Sequence, residues 1–452
     1  MTEAVRAPRA SIPNPLARLD PRRRQLVILA IIVAIALIYP LLYRYLANAP
    51  VLQFIPWPGT AVLVFCATFA ILALGLNIVM GFAGLLDLGY VAFYAIGAYT
   101  TAFLASPHFG VHITWWIVIW IAVAAAAIFG VMLGAPTLKL RGDYLAIVTL
   151  GFGEIVRLVF RNLGDITIAL PAILGGAVLL GPNANLTGGN VGINPIDPPI
   201  IPIPGPWGNQ LVFSNQNVIA SWYLVLALLA LTYFICMRLR DSKLGRAWMA
   251  IREDETAAAA MGINTVTTKL LAFSLGASFS GFAGAFTGAY NTAIFAETFS
   301  YNVSILVVII IILGGIGSLR GVVIGAFALL YVDRTLLPWL GDNILNDPIQ
   351  AIGNQTGIEL LRDFKLTTYN YLIFGIVLVV MMIKRPEGLF PDASAKAEMH
   401  GVGIAAEVTG AGDAELAELA ELEEVTLDDA PPESPNAPPE PPTAAGDRES
   451  ST

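Results

Sequence analysis

Runs of about 20 apolar residues recur along the chain, separated by short polar connections. They fall near residues 26–46, 59–80, 86–105, 114–134, 144–163, 217–237, 268–290, 302–316, 320–338 and 369–384. That is the length an α-helix needs to cross the hydrocarbon core of a bilayer. The pattern predicts an all-α membrane protein, a polytopic bundle of about ten transmembrane helices with re-entrant or broken segments. One apolar stretch does not fit, "ITIALPAILGGAVLLG" at Ile166 to Gly181, which is short and contains Pro171. If it crossed, every later loop would change sides, so it reads as an interfacial or re-entrant piece. Residues 182–216, rich in Pro, Gly and Asn, then read as an external loop.

Two runs are dense with glycine and alanine, Leu74 to Tyr99 and Leu275 to Tyr290. Small residues let helices approach closely in lipid. They also suit a broken helix whose loosened backbone lines a cavity, the one setting at membrane depth that tolerates irregular backbone. "GFAGLLDLG" (Gly81 to Gly89) resembles "GGIGSLRG" (Gly314 to Gly321) with one gap, and each precedes a run containing Ile-Gly-Ala. Glycine-interrupted segments in matching positions of two halves point to a transporter's site; the match is short, and chance would serve as well.

Charge orients the spans. The chain is 56% hydrophobic and only 13% charged, against about 25% charged in an average soluble domain. The basic cluster "PRRRQ" (Pro21 to Gln25) precedes the first run without a cleavage signal, and reads as the flank of an anchor with a cytoplasmic N-terminus. Lys139 to Asp143, Arg238 to Lys269 and Lys384 to Pro391 then fall inside, whereas 47–58, 106–113 and 182–216 lack Lys and Arg and fall outside. The net charge of −8 is concentrated: the stretch after Pro391 holds 15 acids and 2 bases. Acidic, Pro- and Ala-rich and poor in aromatics, it reads as a disordered cytoplasmic tail. The expected organisation is a basic extension over 1–25, a permease domain over 26–391 and the tail over 392–452.

Between two apolar runs lies "GRAWMAIREDETAAAAMGIN", Gly245 to Asn264. From Arg246 to Met261 it has neither Pro nor Gly and is rich in strong helix formers, with Gly245 before and Gly262 after. It predicts one short charged helix within the 238–268 loop. Such a helix fits a cleft on another protein, or is simply solvated.

Nothing resembling a phosphate loop, a nucleophile elbow or a zinc-binding helix motif occurs. Cys66 and Cys236 lie far apart in apolar runs and imply neither disulfide nor metal. Charge at membrane depth is the usual mark of gradient coupling. The candidates are Asp87, Glu154, Arg157, Arg161, Asp333 and Arg334, with Glu297 in an external loop. No chain of acids runs along several helices, which argues against a gradient-driven carrier. Asn77, Asp87, Gly89, Tyr90 and Glu154 are the candidate pathway residues; helix–helix hydrogen bonding is the other reading for Asn77 and Tyr90.

The Gly245–Asn264 stretch resembles the coupling loop of ABC importer permeases. With "GLLDLGYVAFYAIGAY" (Gly84 to Tyr99), "LRGDYLAIVTLGFGEIVR" (Leu140 to Arg157), "LTGGNVGI" (Leu186 to Ile193), "ILGGIGSLRGVVIGA" (Ile312 to Ala326) and "RPEGLFP" (Arg385 to Pro391), the chain resembles the LivM-type permeases of branched-chain amino acid ABC importers over roughly residues 60–391. The coupling loop only loosely follows the importer pattern, with Thr256-Ala257-Ala258 before Gly262 and Glu255 one residue early. The resemblance implies a non-enzymatic permease subunit of the inner membrane. Its partners would be a second related permease, two ATP-binding subunits, an extracytoplasmic substrate-binding protein and membrane lipid, with no nucleic acid. It implies no cofactor on this chain, since ATP binds the partner subunits. It also implies that Gly245, Arg246, Arg252, Glu253, Asp254, Glu255 and Gly262 form the ATPase-coupling segment. A permease for urea or short amides remains an alternative, as does a stand-alone channel or gradient-driven carrier.

Overall fold

The computed structural model describes residues 34–43, 45, 56–137, 143–164, 166–169, 178–202, 210–356, 362, 364–385, 388 and 389. The basic extension, most of the 139–143 loop and the acidic tail lie outside these residues. The described helices are α1 (Ala34–Tyr43), α2 (Thr60–Asn77), α3 (Val91–Leu104), α4 (Trp115–Thr137), α5 (Asp143–Asn162), α6 (Val218–Arg240), α7 (Lys243–Glu253), α8 (Glu255–Ala260), α9 (Thr265–Asn291), α10 (Tyr301–Gly314) and α11 (Leu319–Tyr331). After α11 the chain stays helical through π turns at Val332–Leu336 and Gly341–Leu345, with α12 (Leu337–Leu340) between them and α13 (Asn346–Thr356) beyond; α14 (Asn370–Lys384) follows.

Six helical stretches among the described residues are long and apolar enough to cross a membrane, built on α2, α4, α6, α9, the stretch Leu319–Ile352 and Leu366–Lys384. This is fewer than the ten expected. Three of the expected spans, α1, α3 and α10, are shorter apolar helices. At 1.5 Å per residue the 14 residues of α3 and of α10 reach about 21 Å, less than the hydrocarbon thickness. The fourth, α5, carries Glu154, Arg157 and Arg161 on an otherwise apolar helix. Conversely, the expected span 320–338 does not stop at Pro338. Pro338 lies inside a continuous helical stretch, Leu319–Ile352, where a proline removes one intrahelical N–H, and the helix runs on with π turns at Val332–Leu336 and Gly341–Leu345 on either side of it.

The core is built around α2, which is apolar on every side and 83% buried over its span, whereas the C-terminal helix is 6% buried. A helix apolar all round belongs inside a bundle. It packs against α6, α9 and α11, and α9 in turn lies along α3 and α4. Glycine makes the α3–α9 approach possible: a Cβ on Gly97 would stand 2.5 Å from Gly281 Cα. Gly97→Val is therefore expected to cost about 1–3 kcal/mol through overpacking. It should lower the unfolding temperature of the detergent-purified chain; unchanged melting would show that α3 can shift off α9.

Among the described residues, three two-stranded antiparallel ribbons occur in the connections: β1 (Ala105–Ser106) with β2 (Val111–His112), β3 (Ile166–Ala169) with β4 (Val178–Ala184), and β5 (Ile200–Pro202) with β6 (Gln210–Val212). The second ribbon takes up the apolar insert at Ile166 to Gly181, which begins and ends as paired strands; residues 170–177 lie outside the described part.

Candidate functional site

Two helix breaks meet in the core. The first follows α2, which loosens into a π turn at Ile78–Phe82 before the chain turns through Ala83 to Tyr90 into α3. The second is Gly315 to Ser318, between α10 and α11. Asn77 Oδ1 accepts from Gly317 N at 2.9 Å, joining them across 240 positions of sequence. A Cβ on Gly81 would lie 2.7 Å from Gly317 N, so the backbones touch. The two segments that echo each other in sequence are therefore neighbours in space.

The first break is held from three sides. Gly89 N donates to Asp87 Oδ1 at 2.9 Å, and Leu88 N donates to Thr149 Oγ1 of α5 at 3.1 Å. Tyr90 Oη donates to Gly276 O of α9 at 2.8 Å, Ser280 Oγ donates to Tyr90 O at 3.3 Å, and Val91 N donates to Ser304 Oγ of α10 at 3.1 Å. Gly89 must be glycine for a steric reason, because a Cβ there would strike the Thr149 carbonyl. Asn77, Asp87 and Tyr90 are all buried. Asp87, Gly89 and Tyr90 thus sit together at the bend, and Asn77 ties the same break to the second one. Thr149, Ser280 and Ser304, which receive or brace the bend, carry no local sequence signal: Thr149 and Ser304 are single hydroxyls in apolar runs, and Ser280 is one of three serines in its own.

Glu154 stands one face further round α5, next to Gly153, which packs on Gly89. Its carboxylate pairs with Arg157 at 2.9 Å, as the i,i+3 spacing predicts. Arg157 also reaches Glu297 at 2.9 Å, and Arg161 reaches the same carboxylate at 3.3 Å and Asn190 Oδ1 at 2.9 Å. Glu297, placed by sequence in a loop, lies in a 3-10 turn, Ala296–Phe299, just before α10. The result is a charged stripe up α5, only partly covered.

The charged segment between α6 and α9 is two helices rather than one. The first begins at Lys243, not after Gly245: Ser242 Oγ caps it by accepting from Gly245 N at 3.2 Å. Gly245 is inside the first turn, pressed on the Arg240 carbonyl. The helix then breaks at Asp254, whose Oδ1 accepts from Thr256 N at 2.7 Å and Ala257 N at 3.0 Å to start α8. A run of good helix formers concealed this break, because Asp competes for backbone donors in its own neighbourhood. Gly262, at φ 87°, ends α8 as expected.

Anchors fix this segment to the bundle. Leu244, Trp248 and Ile251 recur at helical spacing, and Trp248 is fully buried, with Nε1 donating to Thr268 O at 2.7 Å. Glu255 pairs with Lys269 of α9 at 2.6 Å. Arg252 Nη1 donates to Gly81 O at 2.7 Å. Of the residues expected to meet a partner, Arg246, Arg252, Glu253 and Asp254 are all exposed; Arg246 donates to Asp241 O at 2.9 Å, Arg252, Asp254 and Glu255 have the partners just given, and Glu253 stands outward at the end of α7. Asp254→Ala should remove the α8 cap at a cost of about 1 kcal/mol and speed amide exchange over 255–260 about fivefold. Exchange unchanged from the parent would mean the cap is not what holds α8.

These features define an all-α, multi-pass membrane protein whose organised elements are helix breaks and an anchored polar segment between two spans. The chain belongs to the family described as the permease component of branched-chain amino acid transport systems, which matches residues 60–382. It is 38% identical over 340 residues to the high-affinity branched-chain amino acid transport system permease protein LivM of Escherichia coli (strain K12), covering 72% of this chain and 68% of that one. A probable branched-chain amino acid transport permease protein LivM of Methanocaldococcus jannaschii is 25% identical over 304 residues, 66% of this chain and 74% of that one. The LivH permease protein of Salmonella typhimurium, from a high-affinity branched-chain amino acid transport system, is 28% identical over 278 residues, 58% and 80% respectively. No solved structure matches the chain.

Proposed function

We propose that this chain forms, with a second related permease, the inner-membrane pathway of an ATP-driven importer for leucine, isoleucine and valine. Two ATP-binding subunits would dock on α7 and α8 from the cytoplasmic side, where both termini would also lie. An extracytoplasmic binding protein would deliver the amino acid to the face that carries the β-ribbons. ATP binds and is hydrolysed on the partner subunits; this chain converts their movement into alternating access, a rigid-body change of the hinge-and-shear kind.

The observation that carries this reading is the α7–α8 segment. It is firmly anchored by Trp248 and Glu255, yet it presents Arg246 and Glu253 outward. A lever needs both properties. The pathway would pass the bend organised by Asn77, Asp87, Gly89 and Tyr90 and continue along the Glu154 stripe. Charged groups at membrane depth face a bundle interior or a water-filled cavity, and Glu154, Arg157 and Arg161 share one face of α5.

The test is uptake of labelled leucine into proteoliposomes holding this chain, its sister permease, the ATPases and the binding protein. Uptake should require ATP and every component, and an excess of urea should not inhibit it. Competition by urea would move the ligand to small amides. Flux through this chain alone, indifferent to ATP, would make it a channel or carrier.

A further inference from the structure

Arg252 lies in the proposed docking segment and is exposed, yet one end of its head reaches back into the protein. Its Nη1 donates to the carbonyl of Gly81, inside the π turn that ends α2. The stem lies across the chain at Gly84, where a Cβ would stand 2.8 Å from Arg252 Cγ. A Cβ on Gly317 would stand 3.6 Å from Nη1. One arginine on α7 thus spans both helix breaks, in the space left by glycines. From Gly81 the connection continues: Asn77, at the entrance of the same π turn, accepts from Gly317 N.

We propose that Arg252 is the positioning residue that carries displacement of α7 into the paired breaks, with Asn77 as the second link, passing it on to the start of α11. This rests on the importer reading above. Three physical points support it. A π turn is a rare winding, frequent at functional sites, at which a helix departs from its regular α ladder, so it is a place where a push can change the winding. A guanidinium–carbonyl bond is charge-assisted and stronger than a neutral one, and the planar Arg head holds a direction that a compact ammonium on a flexible four-carbon stem does not. Finally, Asn77 Nδ2 is buried without a hydrogen-bond partner. A buried amide left half satisfied costs free energy, which fits a contact that must exchange partners between two states.

The experiment uses the complete importer in proteoliposomes, with leucine uptake and ATP hydrolysis measured in the same vesicles. Arg252→Ala should leave the ATPase subunits bound through detergent purification and lower the leucine imported per ATP by about tenfold or more. Arg252→Lys should fall between that variant and the parent. Asn77→Ala should give the same uncoupling. The double variant should be no worse than the worse single one, because two links of one connection do not add. Arg252→Lys and Asn77→Ala keep the test open if Arg252→Ala does not fold. Loss of the ATPase subunits from the Arg252 variants would make the residue a docking contact and overturn the proposal. So would hydrolysis and uptake falling together, or a ratio equal to the parent's. Absence of ATP-driven uptake in the parent complex would instead remove the importer reading itself.

Discussion

Glu253→Lys is expected to reduce ATP-driven leucine uptake by about 30-fold or more, equivalent to about 2 kcal/mol of lost docking energy. Glu253 is the last residue of α7 and is exposed. Its neighbours Arg252, Asp254 and Glu255 have partners inside the chain, so on the importer reading Glu253 is the acid placed to meet an ATP-binding subunit. Reversal removes an attraction and adds a repulsion at one contact, which costs more than truncation. The fold should not feel it, since surface substitutions away from caps and cores usually stay within about 0.5 kcal/mol. The variant should reach the membrane and melt normally, and should lose its ATPase subunits on purification. Normal uptake by a normally assembled complex would remove Glu253 from the docking surface. Reversing Asp254 as well would confuse the result, because a Lys there cannot cap α8.

The long apolar elements were legible because each is decided locally. Helices α2, α4, α6 and α9 lie where the apolar runs lie, and the glycine end of α8 follows from the backbone preference of Gly262. What could not be read depends on partners distant in sequence. Asn77 and Gly317 are 240 positions apart, and Arg252 and Gly81 are 171 apart. The sequence echo between the two glycine segments hinted at the first contact without showing that the segments touch. Arg252 is exposed, and its bond to Gly81 was hidden because helical propensity says nothing about which way a long side chain turns. The continuation of α11 beyond Pro338 was hidden for a related reason. Asp333, Arg334, Pro338 and Gly341 together resemble the end of a span, and only the π turns show how the helix carries them. Asp333 instead accepts from Asn370 at 2.9 Å, and Arg334 lies over the Phe65 ring.

The second large effect is expected at Asp87. Its carboxylate is buried, and Oδ1 accepts the Gly89 N–H that would otherwise be unpaired inside the bundle. Asp87→Ala leaves that donor without a partner, at a cost of about 1–3 kcal/mol. The cost falls on the bend itself, where Leu88 is tied to Thr149 and Gly89 is pressed on the Thr149 carbonyl, with no slack on the α5 side. Uptake should drop by about tenfold or more, since a bend shifted by a fraction of an ångström no longer presents α5, α9 and α10 with matching donors and acceptors. Asp87→Asn keeps an oxygen where Oδ1 sits, removes the charge and puts an amide NH2 in place of Oδ2. If Asp87 works by shaping the break, the Asn variant should transport close to the parent rate while the Ala variant does not. If both lose transport equally with unchanged melting temperatures, the negative charge itself is what the permeating amino acid or the moving helices require. Asp87 would then be a participant in the pathway rather than its frame.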